Sequence, residues 1–247
     1  MAERPGTRVV LGGTGTLGAA IARRLAHPEA ALVLGYLEDR ARAETLAAEL
    51  RSCAREVVLV EGNVAEAATH EAFAQAVVGL GEGCEMLVHC VAVTSFKPLM
   101  RIRPSQWDLT LEVSARSLLD AVAALADSLA ASRGSVVAIS SQGSTRCIPG
   151  YGALGPAKAA LESIVRQLAC ELAPRKIRVN AIRAGLIESA VVERFPGGMR
   201  EAVVARTPFG RLGAPEEIAA VAAFLLGREA AWIVGQVIEA DGGFSLT

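Results

Sequence analysis

The chain has 247 residues, of which 52% are hydrophobic, and a formal net charge of −1 at pH 7. This length favours one large α/β domain over two small ones, and a near-neutral charge without a basic block argues against nucleic acid as the main partner. The chain has no uninterrupted apolar run of about 18 residues, so we predict no membrane span. Its start lacks the apolar core of a signal peptide, which favours a cytoplasmic protein.

The cysteines and histidines are scattered along the chain. The five cysteines form no C-x-x-C pair, which predicts reduced thiols: Cys53, Cys84, Cys90, Cys147 and Cys170. The three histidines, His27, His70 and His89, show no metal-ligand spacing. We therefore expect no structural metal.

Short buried-strand patterns alternate with helical patterns along the chain. In chain order, the predicted elements are strand 7–13, helix 16–26, strand 30–36, helix 39–52, strand 56–64, helix 66–80, strand 85–93, helix 105–131, strand 134–141, a helix that ends near 170–176, strand 177–185, helix 215–227 and strand 235–243. Such alternation predicts right-handed crossovers and a parallel sheet. We predict one α/β domain over residues 1–247, with one irregular insertion at 188–212.

A glycine-rich turn follows the first predicted strand. Gly13, Gly15 and Gly18 form G-x-G-x-x-G between that strand and the first helix. Glycines allow the backbone to approach a pyrophosphate closely, and the helix N-terminus offers free N–H groups to it. In this strand–turn–helix context the motif predicts a dinucleotide site.

The residues at the end of the second strand leave the type of dinucleotide open. Tyr36 stands where a carboxylate would grip the adenosine ribose of NAD. Glu38 and Asp39 would repel a 2′-phosphate, whereas Arg40 and Arg42 would attract one. A solvated helix start explains these four charges equally well.

Several motifs occur in an order and spacing that together resemble the short-chain dehydrogenase/reductase superfamily over essentially the whole chain. They are the glycine turn at 12–18, "GNV" at 62–64, "ISS" at 139–141, Tyr151 with Lys158, "RVNAIRAG" at 178–185 and "GQVIEADGG" at 235–243. The resemblance implies a single Rossmann-like, doubly wound domain whose seven-stranded parallel sheet has helices on both faces. It also implies an NADPH or NADH cofactor at the carboxyl edge of the sheet, with NADPH favoured, and a homotetramer or dimer.

The resemblance also implies which residues contact the cofactor. They are Gly12, Thr14, Gly15, Thr16, Leu17, Gly18, Tyr36, Asn63, Val64, Cys90, Val91, Ala92, Lys158, Ala184, Gly185, Ile187 and Ser189. Asn63 is expected beside the adenine or as a strand-end cap, and Ile187 is expected to meet the nicotinamide carboxamide through its backbone.

The chain departs from the common pattern of the superfamily in its catalytic tyrosine. Leu154 stands four residues before Lys158, where ketone-reducing members have that tyrosine, and Ser114 replaces their helix asparagine. Further departures are Leu11 and Thr16 in the glycine turn and "HCVA" at 89–92. A Tyr-x6-Lys pair with such a serine is typical of the enoyl-acyl-carrier-protein reductases, and parts of the chain look like their NADPH-dependent bacillus type.

The proline at 156 indicates where the helix of Lys158 begins. Since proline is comfortable only in the first helical turn, the helix should begin at about 152–155, with Tyr151 at or just before its start. We expect Tyr151 to stabilise an enolate oxygen and Lys158 to hold the nicotinamide ribose. Ser141 is the third catalytic candidate, either as a substrate contact or as a structural hydroxyl.

The insertion at 188–212 is predicted to fold over the substrate as a lid. It mixes glycines and Pro196 with an apolar set that suits an acyl chain: Val191, Val192, Phe195, Met199, Val203 and Val204. The resulting hypothesis is an NAD(P)H-dependent reductase of enoyl thioesters carried by acyl carrier protein or coenzyme A. The alternatives are a reductase of polyketide or cyclic ketones and a dinucleotide-binding sensor without catalysis.

Overall fold

The computed structural model describes residues 6–93, 95–189, 192 and 198–247. The strands are β1 (Thr7–Leu11), β2 (Ala31–Tyr36), β3 (Glu56–Glu61), β4 (Cys84–His89), β5 (Ser135–Ser141), β6 (Arg178–Ala184) and β7 (Val237–Ala240). The α-helices are α1 (Thr16–Leu25), α2 (Arg40–Leu50), α3 (Ala67–Gly79), α4 (Pro104–Leu111), α5 (Ser117–Ala131), α6 (Leu154–Leu172), α7 (Met199–Arg206) and α8 (Pro215–Leu226).

The seven strands form one sheet in the order β3-β2-β1-β4-β5-β6-β7. Every neighbouring pair is parallel. The order reverses between β1 and β4, which opens a crevice at the carboxyl ends of these two strands. The predicted doubly wound parallel sheet is therefore confirmed.

Helices cover both faces of the sheet because successive strand residues point to opposite sides. On one face, Val10 belongs to a core that includes Ile21 of α1, Leu46 of α2 and Ile218 of α8. On the other, Val9 and Leu11 join a core with Phe73 of α3, Leu118 of α5 and Leu161 of α6. Burial on both faces accounts for the nearly continuous apolar strands of the sequence.

The fourth strand ends earlier than the sequence pattern suggested. β4 stops at His89, whereas the prediction extended to residue 93. Residues 90–93 leave the sheet after a last bond from the Cys90 N–H to the Leu11 carbonyl. Their apolar character comes from lining a cleft and from packing below it, which a period-two pattern cannot distinguish from a buried strand.

The predicted helix 105–131 is interrupted by a π-helical segment at Glu112–Arg116. Ser114 is fully buried there, and its hydroxyl accepts the Val93 N–H at 3.1 Å. The Ser117 hydroxyl bonds the Val113 carbonyl at 2.7 Å. The Ser117 bond is of the i−4 type that disturbs the helix ladder, and Ser114 ties the segment to the chain after β4, neither of which helical periodicity reveals.

The described residues contain neither a membrane-spanning helix nor a cluster of metal-ligating side chains. None of their helices has both the length and the apolarity needed to cross a bilayer. Nor do their His, Cys, Asp and Glu side chains assemble, three or more together, into an arrangement that could hold a metal ion.

His89 is a fully buried histidine at the end of β4. Its Nε2 lies 2.7 Å from the Ser117 hydroxyl, and because that hydroxyl donates to Val113, the ring proton belongs on Nε2. Burial and the nearby charge of Lys158 lower the pKa of His89 to about 3. The imidazole is thus a neutral structural donor.

The buried neutral imidazole predicts acid sensitivity. Between about pH 6.5 and pH 3 the unfolded chain binds a proton at His89 that the fold excludes, so the free energy of unfolding falls with acidification by up to about 1.4 kcal/mol per pH unit. We expect His89→Gln to flatten this slope in urea titrations at several pH values. His27→Gln, a change at the exposed surface, is the control; equal slopes in both variants would contradict the assignment.

Candidate active site

The loops that follow β1, β4, β5 and β6 meet at the carboxyl edge of the sheet around a cleft of about 670 Å³, here called the large cleft. Most residues that the sequence singled out line it. They are Gly15, Thr16, Leu17, Gly18, Cys90, Val91, Ala92, Ser141, Tyr151, Lys158, Ala184, Gly185, Ile187 and Ser189.

The glycine turn forms one wall of the large cleft. Gly12 has a left-handed backbone, with φ at +74°, and a Cβ there would lie 2.5 Å from the Cys90 carbonyl oxygen. A Cβ on Gly18 would collide with the Gly12 carbonyl oxygen. These contacts bring the turn tightly against the first turn of α1, where only glycine fits.

The first turn of α1 presents unpaired N–H groups to the cleft. The first intrahelical bond runs from the Ala19 N–H to the Gly15 carbonyl, at 2.8 Å. The N–H groups of Thr16, Leu17 and Gly18 precede it, and this turn carries no acidic side chain. The positive end of the helix dipole is therefore open to an anionic group such as a pyrophosphate.

Lys158 is buried in the first turns of α6 and points into the cleft. Its Nζ donates to the Ile139 carbonyl at 2.8 Å and to the Val91 carbonyl at 3.4 Å. Burial lowers the pKa of Lys158 to about 8, although Cys90 and Glu162 act in the opposite direction. The amine therefore keeps most of its charge at neutral pH and has a third donor to offer.

Tyr151 precedes α6, which begins at Leu154 as the proline predicted. Burial raises the pKa of the Tyr151 phenol above its ordinary value, and a hydrogen bond with Ser141 works against that rise. The phenol is thus protonated at neutral pH and held beside the Ser141 hydroxyl. The structure places all three catalytic candidates in one cleft.

A second cavity, here called the apolar pocket, adjoins the large cleft. It has a volume of about 420 Å³, and Ser141, Tyr151, Ala184, Gly185 and Leu186 line both. Its other walls are largely hydrophobic: Gln142, Cys147, Ile148, Pro149, Met199, Ala202, Val203, Arg206 and Phe244. Tyr151 therefore stands where a dinucleotide-sized cleft meets a pocket suited to a hydrocarbon group.

Part of the predicted lid lines the apolar pocket. The pocket side of α7 carries Met199 and Val203, as the sequence suggested, whereas Val204 does not contribute. Val192 lines the large cleft instead. Val191 and residues 195–197 lie outside the described residues.

Five predicted cofactor residues do not line the large cleft. The Tyr36 hydroxyl donates to Glu61 at 2.7 Å, and the Asn63 side chain accepts the Ala65 N–H at 3.0 Å, as a strand-end cap would. Val64 accepts a hydrogen bond from His70 through its carbonyl. Gly12 lies beneath the turn, and Thr14 lines a neighbouring polar depression.

Sequence reasoning missed several residues of the two cavities. Phe96 and Leu186 line the large cleft, and Phe244 lines the apolar pocket. The guanidinium groups of Arg146 and Arg206 both lie over the ring of Phe244 at the pocket wall. Only the return of the chain after β7 brings Phe244 there, and no local pattern encodes that return.

Comparison with protein-family models gives one match over nearly the whole chain. Residues 13–245 match the family described as Enoyl-(Acyl carrier protein) reductase. The 1-cyclohexenylcarbonyl-CoA reductase of Streptomyces collinus is 33% identical over 252 residues, covering 99% of this chain and 89% of that protein. The 3-oxoacyl-[acyl-carrier-protein] reductase FabG of Thermotoga maritima is 34% identical over 160 residues, covering 64% of this chain and 65% of that protein.

Solved structures share the fold over more than nine tenths of their length. A variant of a short-chain dehydrogenase/reductase from Serratia marcescens superposes with a TM-score of 0.90 at 27% identity, covering 98% of each chain. A short-chain type dehydrogenase/reductase from Mycobacterium ulcerans gives a TM-score of 0.92 at 24% identity, covering 100% of this chain and 92% of that one, which shows likeness of fold.

The buried charge of Lys158 predicts a cost in stability. Because burial disfavours the ammonium, the free energy of unfolding rises with pH between about 8 and 10.5, where only the unfolded chain still binds the proton. Lys158→Met removes the buried charge, which stabilises the fold, and also removes two hydrogen bonds to carbonyl groups, which destabilises it. We expect the net effect to raise the free energy of unfolding at pH 7 by about 1–2 kcal/mol. Denaturant titration measures this difference.

The control is Lys176→Met, which makes the same substitution at an exposed position. We expect this substitution to change stability by less than about 0.5 kcal/mol. A loss of stability in Lys158→Met would contradict the assignment of a disfavoured charge to that position.

Proposed function

The chain belongs to the short-chain dehydrogenase/reductase family of NAD(P)-dependent oxidoreductases, and we propose that it reduces the double bond of enoyl thioesters with NADPH. The observation that carries this proposal is the position of Tyr151. It lies at the junction of the large cleft and the apolar pocket, whereas the position four residues before Lys158 holds the buried Leu154.

The residues of the large cleft fit a nicotinamide dinucleotide. The glycine turn and the N–H groups of Thr16 to Gly18 would hold the pyrophosphate, and Lys158 would donate to the ribose hydroxyls. Ile187 pairs with Gly213 through bonds made by Leu186 and Glu188. In such a parallel bridge the N–H and C=O of Ile187 point away from Gly213, which leaves them for the carboxamide.

Tyr151 has the role of stabilising negative charge on the substrate. A nicotinamide held in the large cleft would supply a hydride to the β-carbon of an enoyl thioester. Charge then collects on the thioester oxygen, and a phenol that donates a hydrogen bond to that oxygen lowers the barrier. A proton taken from the solvent at the α-carbon would complete the reduction. Lys158 adds a positive charge nearby, and the apolar pocket receives the acyl group.

A specific observation keeps the ketone reductase as the second candidate. Ser141, the hydroxyl beside the phenol, occupies the serine position of ketone-reducing relatives with respect to Lys158, and a relative 34% identical over part of the chain is named as a 3-oxoacyl reductase. In that reaction the phenol would protonate the carbonyl oxygen directly. The two candidates therefore differ in substrate and share the same cleft. Family membership favours both over a sensor without catalysis.

The segment around α7 is proposed to act as a lid over the acyl group. Met199 and Val203 line the apolar pocket, and Gly198 precedes the helix with a left-handed backbone, φ +84°. Such a glycine can absorb a change of direction when the segment opens for a thioester on acyl carrier protein or coenzyme A.

The direct test is the turnover of a 2-enoyl thioester by Tyr151→Phe. This change removes one hydroxyl and keeps the ring, so we expect kcat to fall by about 100-fold or more while the dissociation constant of NADPH stays within about twofold. NADPH oxidation measured by absorbance gives kcat, and quenching of protein fluorescence gives the dissociation constant.

The same assay is run with two other substrates, a β-ketoacyl thioester and a cyclic ketone. Turnover of a ketone alone, with the enoyl thioester inert, would replace the enoyl assignment with the ketone reductase. Full enoyl activity in Tyr151→Phe would show that the phenol has no role in the chemistry.

The preference for NADPH rests on a polar depression beside the glycine turn. Thr14, Thr16 and Arg42 line it at the start of α1 and α2. Its two carboxylates, Glu49 and Glu216, both act on Arg23, which forms an ion pair with Glu49. Among the described residues Arg42 makes no ion pair. A guanidinium next to two threonine hydroxyls suits the 2′-phosphate that distinguishes NADPH from NADH.

Replacing Arg42 should therefore change the choice of cofactor. We expect Arg42→Ala to raise the KM for NADPH about tenfold and to leave that for NADH within about twofold, because one charge-assisted contact is lost. Arg24→Ala, at an exposed position of α1 that does not line the depression, is the control. An equal effect of Arg42→Ala on both cofactors would argue against a 2′-phosphate contact.

A further inference from the structure

Tyr151 lies in the turn that leads into α6, where the ladder of helical hydrogen bonds is incomplete. α6 begins at Leu154, with Ala153 as its N-cap. The only helical feature that reaches back is a bond from the Gly155 N–H to the Tyr151 carbonyl, at 2.9 Å. Pro156 has no N–H to donate to the Gly152 carbonyl, so this turn is tied to α6 by fewer hydrogen bonds than a regular turn, and other contacts help to fix the tyrosine relative to Lys158.

The backbone of Tyr151 is held by the segment that follows β4. Tyr151 forms an isolated parallel bridge with Lys97, and the Gly152 N–H donates to the Lys97 carbonyl at 3.0 Å. A Cβ on Gly152 would lie 2.5 Å from that carbonyl oxygen and 2.8 Å from the Leu99 nitrogen. Any side chain at 152 would therefore push the two segments apart.

The ring of Tyr151 packs directly against a second glycine, Gly143. A Cβ on Gly143 would lie 2.5 Å from Cδ1 and 3.0 Å from Cε1 of the tyrosine ring. The ring of Phe96 also lies next to the tyrosine, with centroids 6.0 Å apart and the planes tilted by 55°. Gly143 leaves the space that the aromatic ring occupies.

Gly143 also orients the partner of the phenol. Its N–H donates to the Ser141 hydroxyl oxygen at 3.3 Å. That oxygen then accepts from the backbone, and its own proton is available to the tyrosine oxygen, in keeping with the Ser141–Tyr151 hydrogen bond. One glycine thus touches the ring and directs the hydroxyl beside it.

We infer that Gly143 and Gly152 are positioning residues for Tyr151, and that their missing side chains form the slot that places the phenol at the start of α6. The inference rests on the proposed function, because it assigns these glycines a role through the phenol. Neither glycine has a left-handed backbone, so alanine is tolerated by the main chain and its effect comes from the added methyl group.

The first experiment compares Gly143→Ala and Gly152→Ala with the wild type. We expect kcat for the enoyl thioester to fall by about 10- to 100-fold, since a displacement of about 1 Å is enough for such a loss. The dissociation constant of NADPH should stay within about twofold, because the glycine turn and Lys158 are untouched. Gly79→Ala is the control, since a Cβ there meets nothing within 4 Å.

The second experiment observes the phenol without turnover. The chain has two tyrosines, so in a Tyr36→Phe background the ultraviolet titration of tyrosine reports on Tyr151 alone. Burial is the main cause that raises the pKa of Tyr151. We therefore expect Gly143→Ala, which displaces the ring, to move the titration midpoint towards the ordinary value for tyrosine.

The outcomes separate this inference from the proposed function. An unchanged kcat and an unchanged titration midpoint in Gly143→Ala would overturn the slot. A joint loss of kcat and NADPH affinity in both alanine variants would also overturn it, since it would indicate a general folding defect. If the enoyl thioester is inert, the proposed function fails by itself, and if Tyr151→Phe keeps full activity, only the role of the phenol fails. In either case a moved midpoint in Gly143→Ala would still support the slot.

Discussion

The buried ammonium of Lys158 is the contact on which the geometry of the site depends. Its two carbonyl bonds tie α6 to the end of β5 at Ile139 and to the chain after β4 at Val91. One turn further along α6, the Glu162 carboxylate accepts from Ser140 and Arg183, both at 2.6 Å, and so anchors the same helix to β5 and β6. A helix fixed at two levels presents a rigid base, on which a loop can then place the tyrosine.

The fold could be predicted from the sequence because its determinants are local. Alternating apolar strands and helices, and the glycine turn between β1 and α1, each fix one crossover, and parallel crossovers have one hand. The proline at 156 predicted that α6 begins at 152–155, because a residue without an N–H fits only the first helical turn. The observed start at Leu154 lies in that range. The interruption at Ser114 was not predictable in this way, because it depends on Val93, a partner 21 residues away.

The site could be predicted in part, for the same reason. Lys158, Ser141 and the residues of the glycine turn come from strand ends and helix starts, which converge at one sheet edge in any parallel α/β fold. Phe96 and Phe244 come from loops whose paths are set by tertiary contacts, the first by the bridge to Tyr151 and the second by its packing against two arginines. The side-chain bond between Tyr36 and Glu61 likewise joins the ends of two strands and has no local signal.

The incomplete turn between Tyr151 and α6 separates the position of the phenol from that of the Lys158 ammonium. A regular helix through both residues would fix the two positions together. On a helix, any change in the distance between phenol and ammonium comes in steps of a residue and rotates the side chain by about 100°. In this protein Tyr151 lies in the incomplete turn before α6, so the position of its phenol also depends on the segment that runs from residue 145 to 153. A change in that segment can therefore move the phenol while the buried contacts of Lys158 stay the same.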